Sequence, residues 1–180
     1  MRVVSGTARG VVLKTPDGMQ TRPTSDKVKE SIFNIIQFDL PGTAVLDLFG
    51  GTGQLGIEAL SRGAKTAVFV DAWDKACALI KENIRRTKFD AKSKVVRSDY
   101  LAFLKSCKEK FDIILLDPPY AEVFLENALK CIAEIDILQS NGIIVCERPV
   151  GKELDLEFDG FNRSKDYKYG GTLITLYRKD

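Results

Sequence analysis

Short apolar runs alternate with amphipathic stretches from residue 43 almost to the end of the chain. Each run is β-branched or aliphatic and has the length of a buried strand; the runs are TAVLDLF (43–49), TAVFVD (66–71), SKVVRSD (93–99), FDIILLD (111–117) and GIIVCE (142–147). The stretches between them repeat apolar residues at helical spacing, and two such stripes are Trp73, Ala76, Cys77, Ile80 and Ile84, then Leu125, Ala128, Leu129 and Ile132. Because each connecting helix must bury its stripe, the pattern predicts parallel strands with helices on both faces of the sheet.

Two further segments extend this pattern. The strand-like run 172–177 follows residues 156–165 too closely for a helical connection, so the two are predicted to form an antiparallel pair at the end of the sheet. Residues 2–13 are typical of a small hairpin with turns around Gly6 and Gly10. Residues 24–38 are typical of a helix, which Thr24 or Ser25 caps and Pro41-Gly42 ends; its apolar stripe is Val28, Ile32, Ile35 and Ile36.

The predicted fold class is therefore α/β, with a mostly parallel seven-stranded sheet that ends in an antiparallel hairpin and a small N-terminal hairpin-helix extension. At 180 residues the chain is long enough for one well-buried core and short for two. We expect a single domain over residues 1–180, with the extension at 1–40 and the catalytic core at 41–180.

Composition excludes several classes of function. The longest apolar runs are far shorter than a membrane span, and the N-terminus lacks the apolar stretch of a secretory signal, so a cytoplasmic protein is predicted. The four cysteines are widely separated and form no C-x-x-C pair, which predicts reduced thiols and no metal site. The chain has no histidine, so Ser-His-Asp and Cys-His nucleophilic chemistry is excluded.

Net charge is only +2, too small by itself to indicate a nucleic-acid partner. Its distribution is more informative, because residues 1–36 hold six basic side chains against three acidic ones. An ordinary solvated face and a contact surface for a polyanion both fit so modest an excess.

A glycine-rich loop follows the first predicted strand, in DLFGGTGQLG at 47–56. Glycine permits a sharp turn and lets a ligand approach the backbone, so Gly50, Gly51 and Gly53 are predicted to bind a cofactor. Asp71, twenty residues after Gly51, ends the second strand and is placed to accept ribose hydroxyls. This spacing alone suits NAD and S-adenosylmethionine equally.

The acidic residue that precedes the glycine loop favours S-adenosylmethionine over NAD. Asp47 lies four residues ahead of Gly51, where it would repel a pyrophosphate in a partly desolvated cleft. The same carboxylate is well placed beside the cationic sulfonium and amino group of S-adenosylmethionine. LDLFGGTG also resembles the first motif of class I methyltransferases. Together with parallel strands closed by an antiparallel hairpin, this resemblance implies their Rossmann-like, S-adenosylmethionine-dependent methyltransferase fold.

Four other residues near the strand ends are candidates for the cofactor site. Asp99 ends the third strand and either accepts the adenine amino group or caps the next helix. Trp73 could flank the adenine, but it begins an apolar helical stripe, which favours a core position. Ala72 and Tyr100, which follow Asp71 and Asp99, complete the predicted cofactor-binding set.

The sequence DPPY, from Asp117 to Tyr120, follows the fourth strand at the edge where open α/β sheets bind ligands. Pro118 and Pro119 remove two N–H donors and stiffen the backbone, which leaves carbonyl acceptors on a rigid ledge. The Asp117 carboxylate and the Pro118 carbonyl could hold the two N–H groups of an exocyclic amine while the Tyr120 ring stacks on the base. These four residues form the predicted catalytic motif, which is similar to the fourth motif of amino-methyltransferases.

The N-terminal sequence narrows the resemblance further. MRVVSGTARGVVLKTP, followed by TRPTSDKVKESIFNII, closely resembles the opening of the RsmD family of bacterial methyltransferases, which modify a guanine N2 of small-subunit ribosomal RNA. With the glycine loop, DPPY and the closing YGGTLITLYR, this resemblance spans essentially the whole chain. Two departures are small: Gly50 replaces a frequent alanine, and Asp71 replaces a frequent glutamate.

The resemblance implies a ribosomal RNA (16S) or small-subunit particle as partner, S-adenosylmethionine as cofactor, a monomer and no metal. It also implies that the N-terminal hairpin and the T-R-P-T loop face RNA, with Arg2, Arg9, Arg22 and Lys27 as phosphate contacts. For Arg22, bracing the helix over the cofactor is an alternative role.

Four other interpretations fit part of this pattern. A DNA or RNA adenine-N6 methyltransferase shares the loop and DPPY but usually carries a sizeable target-recognition region, for which this chain has no room. A glutamine-modifying enzyme fits the same motif less well. A non-catalytic RNA-binding assembly module and an NAD oxidoreductase are disfavoured by the intact DPPY and by Asp47, respectively.

Overall fold

The computed structural model describes residues 1–16, 26–119, 122–151 and 158–179, and of Glu122 only the backbone. Its helices are α1 (Asp26–Ile35), α2 (Gln54–Ser61), α3 (Asp74–Thr87), α4 (Tyr100–Ser106) and α5 (Glu122–Ile135), with a 3₁₀ turn at Asp90–Lys92. Its strands are β1 (Ala44–Asp47), β2 (Thr66–Asp71), β3 (Ser93–Arg97), β4 (Phe111–Leu116), β5 (Leu138–Pro149), β6 (Asn162–Tyr169) and β7 (Thr172–Arg178). Strands and helices therefore alternate from β1 to β5, as predicted.

The seven strands form one sheet in the order β3-β2-β1-β4-β5-β7-β6. β1 to β5 run parallel, and β7 is antiparallel to both of its neighbours. The predicted antiparallel hairpin is confirmed, and its first strand runs from Asn162 to Tyr169. The strand order reverses between β1 and β4, and the loops that leave these two strands therefore open a crevice at the carboxyl edge of the sheet.

Apolar side chains pack on both faces of the sheet. The first face carries α1, α2, α3 and the N-terminal segment, and the second carries α4 and α5. All four residues of the predicted α5 stripe are buried: Leu125, Ala128, Leu129 and Ile132. The four cysteines are free thiols, three of them buried and one half-buried, as predicted. Within the described ranges, no helix is long and apolar enough to cross a membrane.

The first helix lies within its predicted range of 24–38, but it ends at Ile35 rather than at residue 38. Val28, Ile32 and Ile36 are buried and Ile35 is half-buried, while the two proposed caps, Thr24 and Ser25, lie outside the described residues. Lys29 is one of the six basic residues of the N-terminal region, and its side chain is fully buried.

The N-terminal hairpin forms as predicted, with left-handed turns at Gly6 and Gly10. An antiparallel bridge pairs Arg2 with Val12, and the Val3 amide donates to the Val11 carbonyl over 3.0 Å. At Gly6 a Cβ would come within 1.8 Å of the Ser61 carbonyl oxygen, so only glycine permits this contact with α2. The hairpin is thus seated directly on the helix that follows the glycine loop.

Buried polar side chains hold the hairpin there. The Glu58 carboxylate of α2 accepts hydrogen bonds from the amides of Val4 (2.8 Å) and Ser5 (3.0 Å), and it also pairs with Arg62 over 2.8 Å. The buried Lys29 ammonium donates to the Arg2 carbonyl over 2.6 Å and lies 3.9 Å from Glu58. Burial lowers the pKa of Lys29, and the charges of Glu58 and Asp26 oppose that shift.

Candidate cofactor and acceptor site

The loop after β1 folds back onto the end of β2. The Gly50 amide donates to the Val70 carbonyl over 2.9 Å, and Gly51 and Gly53 adopt left-handed φ values of 55° and 78°. Such φ values strain any residue with a Cβ, so the turn requires glycine at these positions. At Gly56 a Cβ would lie 2.3 Å from the Phe69 ring, so this glycine allows α2 to pack closely on β2.

Asp47 ends β1 behind this loop and is 1% exposed. One of its carboxylate oxygens, Oδ2, accepts a hydrogen bond from the Gly56 amide over 3.0 Å. Burial, together with the negative charges of Asp117 and Asp71, raises the pKa of Asp47 to about 7 against the lowering effect of the Gly56 amide. A buried carboxylate that loses its proton near neutral pH is a strong receptor for a cation.

Asp71 connects the glycine loop to the start of α3. Its Oδ2 accepts from the Gly51 amide and its Oδ1 from the Trp73 amide, both over 2.9 Å. Each oxygen retains a lone pair for a further donor. Ala72, the next residue, is exposed at the same edge.

Trp73 is not a core residue, and the expectation from the helical stripe was wrong. Its side chain is 67% exposed, and the residue occupies the N-cap position of α3 with extended backbone angles. The apolar stripe begins one turn later, because residues before the first helical turn do not share the helix period. The indole is therefore available at the carboxyl edge beside Asp71.

Asp99 caps α4, which confirms one of its two predicted roles. Its Oδ1 accepts from the amides of Leu101 (2.9 Å) and Ala102 (3.1 Å), and the residue remains exposed. Tyr100, in contrast, is only 8% exposed, and its ring packs between Phe49 and Phe124 at centroid distances of 5.2 and 5.6 Å. Tyr100 therefore supports the edge from within the core.

The residues of DPPY that the structure describes follow β4 at the same edge. Asp117 and Pro118 are half-buried and Pro119 is exposed, while Tyr120 lies outside the described residues. Strand pairing places the end of β4 beside β1, with Asp47 in register with Leu115. The structure thus brings Asp47, Asp71, Asp99 and Asp117 to one edge of the sheet.

Four carboxylates at one edge produce a negative potential that suits a cationic ligand and disfavours a pyrophosphate. Within residues 1–16, 26–119, 122–151 and 158–179, no three His, Cys, Asp or Glu residues are grouped so that they could hold a metal ion. These residues fit S-adenosylmethionine: the buried Asp47 suits its cationic tail, the glycine cradle allows its close approach to the backbone, and the exposed Trp73 ring suits its adenine.

Three of the four predicted RNA contacts are described. Arg2, Arg9 and Lys27 are exposed on the hairpin and on α1, and the Arg2 side chain lies 3.8 Å from Asp26. Arg22 lies outside the described residues.

Sequence reasoning missed two buried residues that organise the site. Asn83 of α3 is fully buried; its Nδ2 donates to the carbonyls of Thr52 (2.9 Å) and Lys14 (3.0 Å), and its Oδ1 accepts from the Lys14 amide (2.7 Å). Asn83 therefore joins the glycine loop to the backbone of Lys14, just after the hairpin. Glu58 anchors the other side of the same hairpin. A polar residue on the buried side of an amphipathic helix was the available signal for both.

Comparison with known proteins places the chain in a family. A family model described as conserved hypothetical protein 95 matches residues 1–178. YlbH of Bacillus subtilis, provisionally described as an rRNA methyltransferase, is 41% identical over 182 residues, covering 99% of each chain. Ribosomal RNA small subunit methyltransferase D of Haemophilus influenzae is 33% identical over 157 residues, covering 86% of this chain and 81% of that protein.

A solved Escherichia coli structure, provisionally described as a methyltransferase, superposes with a TM-score of 0.89 at 28% identity, covering 100% of this chain and 98% of that one. With the observed strand order, this likeness confirms the predicted class I, Rossmann-like methyltransferase fold. The chain belongs to the family described as conserved hypothetical protein 95, the RsmD family that its motifs predicted.

Proposed function

We propose that this protein transfers a methyl group from S-adenosylmethionine to the exocyclic N2 amine of a guanine in small-subunit (16S) ribosomal RNA. The observation that carries the proposal is the buried carboxylate of Asp47, held behind a glycine loop at the strand edge that also bears Asp117 and Pro118. The names of the two relatives, which refer to ribosomal RNA methylation, support the substrate class.

Several residues are proposed to hold the methyl donor. Asp47 faces its positive charge, Asp71 accepts the ribose hydroxyls with its remaining lone pairs, and Gly51 and Gly53 allow the close backbone approach. The Trp73 ring and Ala72 flank the adenine. Asp99 accepts a hydrogen bond from the adenine amino group while it continues to cap α4. Gly50 and Tyr100 form the floor of the cofactor site.

When bound, S-adenosylmethionine supplies an electrophilic methyl carbon on a cationic sulfur. The protein's task is then to present the amine, whose lone pair is delocalised into the base. The Asp117 carboxylate and the Pro118 carbonyl accept its two N–H groups, and Pro119 keeps this ledge rigid because proline fixes its φ angle. Orientation by these acceptors is proposed to supply most of the rate acceleration.

The base must leave its stack to reach this edge, which requires contacts with the surrounding RNA. We propose that Arg2, Arg9, Arg22 and Lys27 bind its phosphates, and that the Tyr120 ring stacks on the extruded base. The protein is proposed to act as a monomer, in the cytoplasm where small ribosomal subunits are assembled.

The test is methyl transfer from tritiated S-adenosylmethionine to RNA, small-subunit particles and DNA prepared from a strain lacking this protein, with nucleosides identified after digestion. We expect label in N2-methylguanosine from the small-subunit RNA. Asp117→Ala should abolish transfer while donor affinity changes less than about twofold, because Asp117 contacts the acceptor. Label in N6-methyladenine, or unchanged turnover of the variant, would contradict the proposal.

A further inference from the structure

Positive charge is concentrated on one surface outside the site described above. Residues 81–94 contain six basic and two acidic side chains, a surplus larger than the +2 of the whole chain. We define the α3 basic face as Lys81, Arg85, Lys88 and Lys92, all of which are exposed. The first three follow at i, i+4 and i+7, so they share one side of α3 and its C-terminal cap over about 10 Å of the helix axis.

Among the residues that the structure describes, these cations have no acidic partners. Within the described parts of the chain, none of the four residues of the α3 basic face forms an ion pair. The neighbouring acid Glu82 is neutralised twice, by Lys14 at 2.5 Å and by Arg86 at 3.7 Å. The surface therefore presents uncompensated positive charge to solvent.

The α3 basic face adjoins the N-terminal hairpin. The Arg86 guanidinium donates to the Val12 carbonyl over 3.3 Å, and Asn83 holds the backbone of Lys14. The hairpin and α3 are thus one continuous surface on the same side of the sheet. α3 starts beside Asp71 at the carboxyl edge and runs toward the opposite edge, so a ligand lying along it can also reach the site.

The chemistry of this surface suits a polyanion. Two large apolar side chains, Val12 and Trp73, are exposed at the borders of this surface, but in the described chain none is exposed between residues 74 and 94. A protein partner needs buried aromatic or apolar anchors, whereas a phosphate backbone needs only accessible cations.

We propose that the α3 basic face binds the phosphate backbone of the substrate RNA away from the target nucleotide. This inference rests on the proposed function, since it takes RNA as the substrate. Such contacts hold the RNA in register and carry no base specificity.

The test compares two triple variants with equal loss of charge: Lys81→Gln/Arg85→Gln/Lys88→Gln, and a control, Lys105→Gln/Lys108→Gln/Lys168→Gln. The control lysines are also exposed, but they lie near α4 and on β6, away from α3. Affinity for small-subunit ribosomal RNA from the deletion strain is measured from about 50 to about 300 mM potassium chloride, together with methyl transfer.

We expect the α3 triple to bind this RNA at least about tenfold more weakly at low salt, with a log–log salt slope shallower by about two to three. Its kcat at saturating RNA and its donor affinity should match wild type, and the control should change the slope by less than about one. An α3 triple that behaves like the control overturns the assignment, as does one that binds naked RNA normally and loses only particle binding. If wild type itself transfers no methyl group to any RNA, the proposed function fails as well.

Discussion

The two helical layers of this protein are built differently. The layer of α1, α2 and α3 buries polar side chains, namely Lys29, Gln54, Glu58, Ser61, Asn83 and Thr87. In the described parts of α4 and α5, every buried side chain is apolar or aromatic. The difference shows where a separate segment is held in place, because Glu58, Ser61 and Asn83 all bind backbone groups of the N-terminal segment.

The largest expected effect comes from removing the anchor of the polar layer. Glu58→Ala leaves two hairpin amides without their carboxylate partner and the buried Lys29 ammonium with Asp26 alone, and should lower the free energy of unfolding by about 4 kcal/mol. Urea denaturation measures the loss. Hydrogen exchange at the Val4 and Ser5 amides should accelerate, and Glu58→Gln, which keeps one acceptor oxygen, should show a smaller change in both.

A large-to-small substitution in the apolar layer should lower the free energy of unfolding by a similar amount and leave the hairpin unaffected. Leu129→Ala creates a cavity at a fully buried position of α5 and should cost about 3 kcal/mol. Under native conditions the exchange rates of Val4 and Ser5 should equal those of wild type. Faster exchange at these amides would show that the two layers are not independent.

Replacing Asp47 should change the free energy of unfolding in the opposite direction, because burial makes the charged form of this carboxylate unfavourable. Its pKa is raised to about 7 in the fold from 3.8, so the contribution of Asp47 to stability is complete below about pH 4 and is lost as pH rises through 7. Asp47→Asn should therefore raise the free energy of unfolding at pH 8 by about 2 kcal/mol, less than the full linkage value because the amide buries an N–H₂ group. Denaturation at pH 5 and pH 8 checks this, and an equal effect at both would contradict the assigned titration.

The smallest effect on stability is expected at Trp73. Because its side chain is mostly exposed, Trp73→Ala should change the free energy of unfolding by less than about 0.5 kcal/mol. If the ring flanks the adenine, calorimetry should show about fivefold weaker binding of S-adenosylhomocysteine. Trp73→Phe should recover most of that loss, and unchanged affinity in both variants would remove the stacking role.

The same contrast explains how much the sequence alone could predict. The strand-helix alternation and the α5 stripe follow from local hydrophobic periodicity, and the acids that end β1 and β2 follow from their places after apolar runs. The partners of Glu58 and Asn83 could not be predicted, because the backbone segment that covers these two residues lies 53 to 69 residues away in the sequence. Trp73 was wrongly predicted to be a core residue, because the apolar stripe was extended to a residue that precedes the first turn of α3.

The central claim is that a cationic methyl donor lies against the ends of β1 and β2, with Asp47 as its counter-charge. Calorimetric titration of the purified protein with S-adenosylmethionine at pH 6 and pH 8 tests it most directly. One site should bind S-adenosylmethionine about tenfold more tightly at pH 8 than at pH 6, since Asp47 must be ionised. Asp47→Asn should bind it weakly at both pH values. Binding of NAD with no binding of S-adenosylmethionine or its demethylated product would contradict the claim.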